Sequence, residues 1–328
     1  RLYRLMLTIL FIAFLLATIG TRLWLASRQL RHVVSHRETV PAEFASRIGL
    51  VSHQRAADYT AAKVKLGMIE LVFDAAVLIG LTLLGGLQQI DLWVSTLTTH
   101  DLLRQVLLIV AVMTLLGALG IPFSIYRQFK LEAQFGFNRM TPKLFIADTI
   151  KGILIGTVLG LPLIAAVLWL MAEAGEFWWV WAWGLWSVFN LLVLFIFPTW
   201  IAPLFNKFTP LENKELAQQI QALAQRCGFS LNGLFVMDGS KRSAHGNAYF
   251  TGFGRARRIV FFDTLLARLS TEEIIAVLAH ELGHFKHNHI FKRLAMSFAG
   301  ALIFFAILGW LAQQVWFYTD LGVLPQLG

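Results

Sequence analysis

The chain has 328 residues, 57% hydrophobic and only 14% charged, with a mean hydropathy of +0.65 and a formal net charge of +9. That balance is too apolar for a soluble globular domain and reads as a polytopic membrane protein. The positive charge does not point to nucleic acid, because the basic residues sit between apolar runs, where they act as topology signals facing anionic lipid.

The first apolar run, Leu5 to Ala26, is long enough to span a bilayer and lacks a small-residue cleavage pattern, so it reads as an anchor rather than a cleavable signal. Further runs near Gly67 to Leu87, Val106 to Tyr126, Ile153 to Met171, Phe177 to Phe197 and Leu294 to Leu311 each approach the roughly 20 residues needed to cross. Six spans are therefore expected. The connection after the first span carries Arg28, Arg31, Arg37, Arg47, Arg55, Lys63 and Lys65, and the one after the third carries Arg127, Lys130, Arg139, Lys143 and Lys151. The alternate connections carry Asp91 and Asp101, then Glu173 and Glu176, with only Arg104 of basic sign. The positive-inside rule puts the basic connections in the cytoplasm and the N-terminus outside. A multi-pass protein of a bacterial inner membrane is the expected setting.

Two features inside the spans invite a functional reading. Glu70 and Asp74 stand four apart on one helix face, where intramembrane carboxylates imply either a water-filled cavity or hydrogen bonds to neighbouring helices. The run Phe177, Trp178, Trp179, Trp181, Trp183 and Trp186 has the composition of an interfacial aromatic belt.

The third basic connection, Ile201 to Arg293, has a different texture. Leu211 to Cys227 has a helical period ended by Gly228. Its lone cysteine, Cys227, reads as a small buried hydrophobe and excludes an internal disulfide. Three short runs then read as strands: Gly233 to Asp238, Asn247 to Phe250 and Arg258 to Phe262, with Gly252 and Gly254 turning between the last two. Ser270 to His289 follows as a helix opened by a capping box of Ser270 and Glu273, with Ile274, Ile275, Val277, Leu278 and Leu282 on its apolar side. It carries His280, Glu281 and His284 in the order HExxH. Histidines four apart share a helix face and can grip one Zn²⁺, while the adjacent glutamate holds a carboxylate where it can take a proton from water. That is peptidase chemistry. An edge strand beside such a helix can bind extended peptide through main-chain hydrogen bonds.

Several stretches together resemble the type I CAAX prenyl endopeptidases, membrane-integral zinc proteases. They are Val40 to Phe44 (VPAEF), His53 to Thr60 (HQRAADYT), Phe135 to Asp148 (FGFNRMTPKLFIAD), Ala202 to Leu211 (APLFNKFTPL), Asp238 to Gly254 (DGSKRSAHGNAYFTGFG), Arg257 to Leu266 (RRIVFFDTLL) and the HELGH helix. The resemblance implies a mainly α fold of polytopic transmembrane helices around a chamber, seven in the full protein, with a small α+β cytoplasmic region of zincin type. It divides the chain into membrane helices and loops (1–200), a catalytic region (201–293) and a sixth span with the chain end (294–328). It implies Zn²⁺ on His280 and His284, Glu281 as general base, and a peptide substrate along Asn247, Ala248 and Tyr249. His245 is expected either to help hold the site or to shape the turn. The family commonly has serine where this chain has Gly246.

One departure concerns the metal. A catalytic zinc takes three protein ligands, and the family draws the third from a glutamate well after HExxH. No glutamate follows Glu281, and Asp320 is expected on the far side of the membrane. His287 shares the face of His280 and His284, but three ligands in sequence on one straight helix do not converge on a tetrahedral ion. The expectation is a C-terminus that continues past Gly328 with the ligand-bearing glutamate. The function expected is zinc-dependent endoproteolysis near the C-terminus of CAAX-type, prenylated substrates, with membrane lipid around it. The alternatives are a membrane-protein quality-control protease of the same chemistry and an inactive scaffold or transporter.

Overall fold

The computed structural model describes residues 6–229, 231–251, 258–286 and 289–320, the side chains of 6, 284–286, 289 and 290 excepted. The chain forms two compact units, residues 1–135 with 310–328, and residues 136–309.

The first unit opens with α1 (Met6–Ser35), α2 (Leu50–Leu81), α3 (Gly86–Ser95) and α4 (Asp101–Tyr126). Apolar sequence continues past Leu81, yet the expected second span is interrupted there. Gly85 takes φ +77°, a left-handed conformation open to glycine, and α3 leaves at 54° to α2. Helix α2 also starts 17 residues ahead of its expected apolar run, at Leu50 rather than Gly67. It is tied to the end of α4, where Pro122 lacks an N–H for the helix ladder and a π-helical turn, Arg127–Glu132, follows. There Glu70 accepts from Arg127, the Tyr59 hydroxyl donates to Glu132 at 2.7 Å, and Arg55 donates to the Phe135 carbonyl at 2.8 Å. Glu70 is thus a helix-to-helix partner, while Asp74 is exposed. Asp91 and Arg104 pair between α3 and α4 at 2.6 and 3.2 Å, both largely buried.

The second unit begins with α5 (Pro142–Glu173), capped by the Thr141 hydroxyl on the Leu144 N–H, and α6 (Trp178–Ile196), followed by a π-helical turn and the short α7 (Ala202–Phe205). Next come β1 (Phe208–Pro210), α8 (Lys214–Arg226), β2 (Leu234–Met237), β3 (Ala248–Thr251), β4 (Arg258–Phe262), α9 (Asp263–Leu266), α10 (Thr271–Lys286) and α11 (His289–Leu311). The sheet order is β1-β2-β4-β3, with β2 and β4 parallel in the middle and the outer strands antiparallel to them. Helices α8 and α10 cover one face, burying Leu216, Ile220, Ile259, Phe261, Ile274 and Leu278 in a common core. Asn213 caps α8 and Gly228, at φ +75°, ends it. Cys227 packs beside Ala224, Phe229 and Leu282 as a small hydrophobe.

The tryptophan run serves two purposes. Phe177 and Trp181 are exposed, as a belt requires, but Trp178 is buried, Trp179 lies against Gly309, and the Trp183 indole donates to the Phe298 carbonyl at 2.9 Å. These inward rings fasten α6 to α11. The chain returns to the first unit with α12 (Val315–Asp320), where the Thr8 hydroxyl donates to the Asp320 carbonyl at 2.8 Å. The fold is mainly α with a small α+β region, as expected. Among the described residues, five helices are long and apolar enough to cross a membrane, or six when the bent α2–α3 pair is counted as one span.

Candidate metal centre and substrate edge

Helix α10 is positioned from its first residue. The Ser270 N–H donates to Glu273 Oε2 at 2.8 Å and the Glu273 N–H donates to Ser270 Oγ at 3.3 Å, which is the expected capping box. Glu272 and Glu273 also place negative charge in the first turn, where the helix dipole favours it. Ile274, Leu278 and Leu282 are buried at four-residue intervals and press one side of the helix onto the sheet and α8. At about 100° per residue, positions 280 and 284 then fall on the side away from that buried stripe. His280 is exposed and Glu281 half-buried on the last turns of α10, and His284 is one turn on in the same helix, its side chain outside the described part. His287 lies outside the described residues, as do Gly252 and Gly254.

The donor types and their one-turn separation fit zinc, since two imidazoles on one helix face supply two ligands. Among the described residues no three His, Cys, Asp or Glu side chains come together as a metal site.

Beside α10 lies an edge. Among the described residues β3 is the outer strand, paired on one side only, with Ala248 opposite Phe261 and Tyr249 opposite Val260. The Phe262 N–H donates to the Asn247 carbonyl at 2.9 Å, so residues 247, 249 and 251 turn their peptide groups toward β4. Those of Ala248 and Phe250 consequently point the other way, along the outer edge. The Ala248 N–H is held by Asn247 Oδ1 at 2.9 Å. Tyr249 is half-buried, and that burial pushes its phenol pKa up. His245 stacks on Phe137 at 4.2 Å, and its carbonyl accepts from the Thr264 hydroxyl at 2.8 Å, so it is built into the turn before β3.

Sequence reasoning missed the group that anchors this turn. Arg242 donates through Nε and Nη2 to the two carboxylate oxygens of Asp148 on α5 at 2.8 and 3.0 Å, through Nη1 to Asn206 Oδ1 at 2.9 Å, and through Nη2 to the Phe205 carbonyl at 2.7 Å. Lys151, one turn along α5, donates to the Leu204 carbonyl at 2.8 Å. The available signal was in the stretches themselves, since Asp148, Phe205 with Asn206, and Arg242 come from three different ones.

Comparison with known proteins gives the ancestry. Residues 29–207, more than half of the chain, match the family described as CAAX prenyl protease N-terminal, five membrane helices. The chain belongs to the CAAX prenyl protease family. Residues 210–324 match the family described as Peptidase family M48. Among its relatives, CAAX prenyl protease 1 homolog of Caenorhabditis elegans is 30% identical over 95% of this chain and 76% of its own length. CAAX prenyl protease 1 homolog of Arabidopsis thaliana is 42% identical over 58% of this chain and 45% of its own. The chain spans about half the length of the plant and yeast family members it matches. The crystal structure of S. mikatae Ste24p shares the fold with a TM-score of 0.87 and 32% identity, over 97% of this chain and 74% of that one.

Proposed function

We propose that this CAAX prenyl protease family member is a membrane-embedded zinc metalloendopeptidase. Its catalytic region is 201–293, its metal is held by His280 and His284 with a further ligand, and its general base is Glu281. The observation that carries the reading is the placement of positions 280 and 284 on the side of α10 away from the core, with Glu281 half-buried beside them, next to an edge strand whose outward peptide groups can pair with an extended chain. Zinc, when bound, polarises the scissile carbonyl and acidifies water in its open position. Glu281 takes the proton that the attacking water loses and delivers it to the leaving amine nitrogen. The outer edge of β3 aligns the substrate by its main chain, with Asn247 yielding the Ala248 N–H as the peptide arrives.

Main-chain recognition asks for no particular side chain, so it serves a CAAX-type substrate and a damaged membrane protein equally. The relatives' names favour the prenylated C-terminal substrate, cut near its end. The basic connections favour a cytoplasmic catalytic face, and the expected setting remains the inner membrane of a bacterium, although the relatives named above are eukaryotic.

The test is Glu281→Ala in purified, zinc-loaded protein, assayed on a peptide with a farnesylated cysteine in a CAAX end and on the same peptide unmodified. Zinc content equal to wild type with no cleavage supports the assignment. Retained turnover in Glu281→Ala rules it out. Equal wild-type cleavage of the two peptides moves the substrate class to the quality-control reading.

A further inference from the structure

We propose that Arg242 and Asp148 form a positioning pair that sets the register of β3, and with it the register of a bound peptide against α10. The inference rests on the peptidase reading above. Arg242 directs four hydrogen bonds from one guanidinium, with most of both side chains removed from solvent. Its planar fork meets the carboxylate through two parallel bonds and still reaches the end of α7, a geometry that a lysine ammonium cannot reproduce.

The backbone after Arg242 is held step by step. The Arg242 carbonyl accepts from the Arg139 N–H at 3.1 Å, and the Ala244 N–H donates to the Phe137 carbonyl at 2.9 Å. Asn138 and Ser243 bridge between these two bonds, His245 stacks on Phe137, and Gly246 packs against Leu265. Only four residues separate Arg242 from Asn247, where pairing with β4 begins. A shift at the guanidinium therefore has no slack in which to dissipate before it reaches the edge strand. Neither Arg242 nor Asp148 is a candidate metal ligand or touches one among the described residues, so both act through β3. Since a displacement of about 1 Å at a reacting centre can cost on the order of 100-fold in rate, holding that register is a catalytic requirement.

The experiment compares wild type, Arg242→Lys, Asp148→Asn and the double variant in nanodiscs. Five quantities are read: zinc content, amide exchange in 248–251, kcat and KM on the farnesylated CAAX peptide, and the bonds cut as identified by mass spectrometry. The expected result is wild-type zinc, faster exchange in β3, a roughly 10- to 100-fold loss in kcat with little change in KM, and cuts spread over neighbouring bonds. The double variant should be no worse than either single one. Unchanged β3 exchange with a single cut at the wild-type rate overturns the proposal, and so does activity that falls only in step with zinc. Asp148→Asn keeps the side-chain volume, which guards against a variant of Arg242 that does not fold. If zinc-loaded wild type cuts no peptide, the peptidase reading fails on its own, and β3 exchange in the variants still decides whether the pair sets the strand.

Discussion

A β-carbon built on Gly246 would lie 3.2 Å from both Cα and Cδ1 of Leu265, one of them backbone that cannot swing aside. The serine common in the family at this place therefore does not fit here without movement of α9. Gly246→Ser should destabilise the protein by about 1–3 kcal/mol through overpacking, read as a lower melting temperature; an unchanged or higher one would mean that Leu265 yields. The sequence shows only a missing hydroxyl at this position, because the neighbour that fills the space is 19 residues away. The same contrast separates HExxH from Arg242. Histidines four apart meet on any helix, so their relation can be read directly from spacing. Arg242 finds its partners 94, 36 and 37 residues away, and nothing local about an arginine beside a lysine announces them.

Among the elements, α10 was the most legible because its start signal and its apolar stripe are both local patterns. Ser270→Ala removes one arm of the capping box and should cost about 1 kcal/mol, seen as faster exchange of the amides in the first turn. Leu278→Ala, at a site with no exposure, should cost about 2–5 kcal/mol and release α10 from the sheet. Glu272 adds a pH dependence. A backbone N–H bond, and after it the Ser270 hydroxyl, lower its pKa, so its charged form stabilises the folded helix start. That contribution is present above the ordinary carboxylate range and fades as pH falls through the lowered value. The melting temperatures of wild type and Glu272→Gln should therefore differ at neutral pH and converge in acid. The α2–α3 break was harder to read, since the stretch from Thr82 to Leu87 stays largely apolar and its one local signal is the Gly85–Gly86 pair, of which Gly85 takes the left-handed conformation.

For the whole molecule, the alternation of charge between connections was readable, and the structure sharpens it. Arg104, the basic residue that spoiled the pattern, is neutralised by Asp91, so that connection carries no uncompensated arginine. In a Cys227→Ser background, Arg47→Cys should label with an impermeant thiol reagent from the cytoplasmic side and Glu176→Cys from the opposite side; labelling of both from one side contradicts the topology. The membrane also gives the attachment of Arg242 a meaning in terms of depth. Asp148 lies five residues ahead of Ile153, where the apolar run of α5 begins, a rise of about 8 Å along the helix. Two or three extended residues cover that distance. On the proposed peptidase reading, the edge strand pinned there works as a depth stop. A chain tethered in the bilayer by a lipid on one residue can bring only the few peptide bonds nearest the tether to the strand, and a bond far along the same chain must loop back to be read.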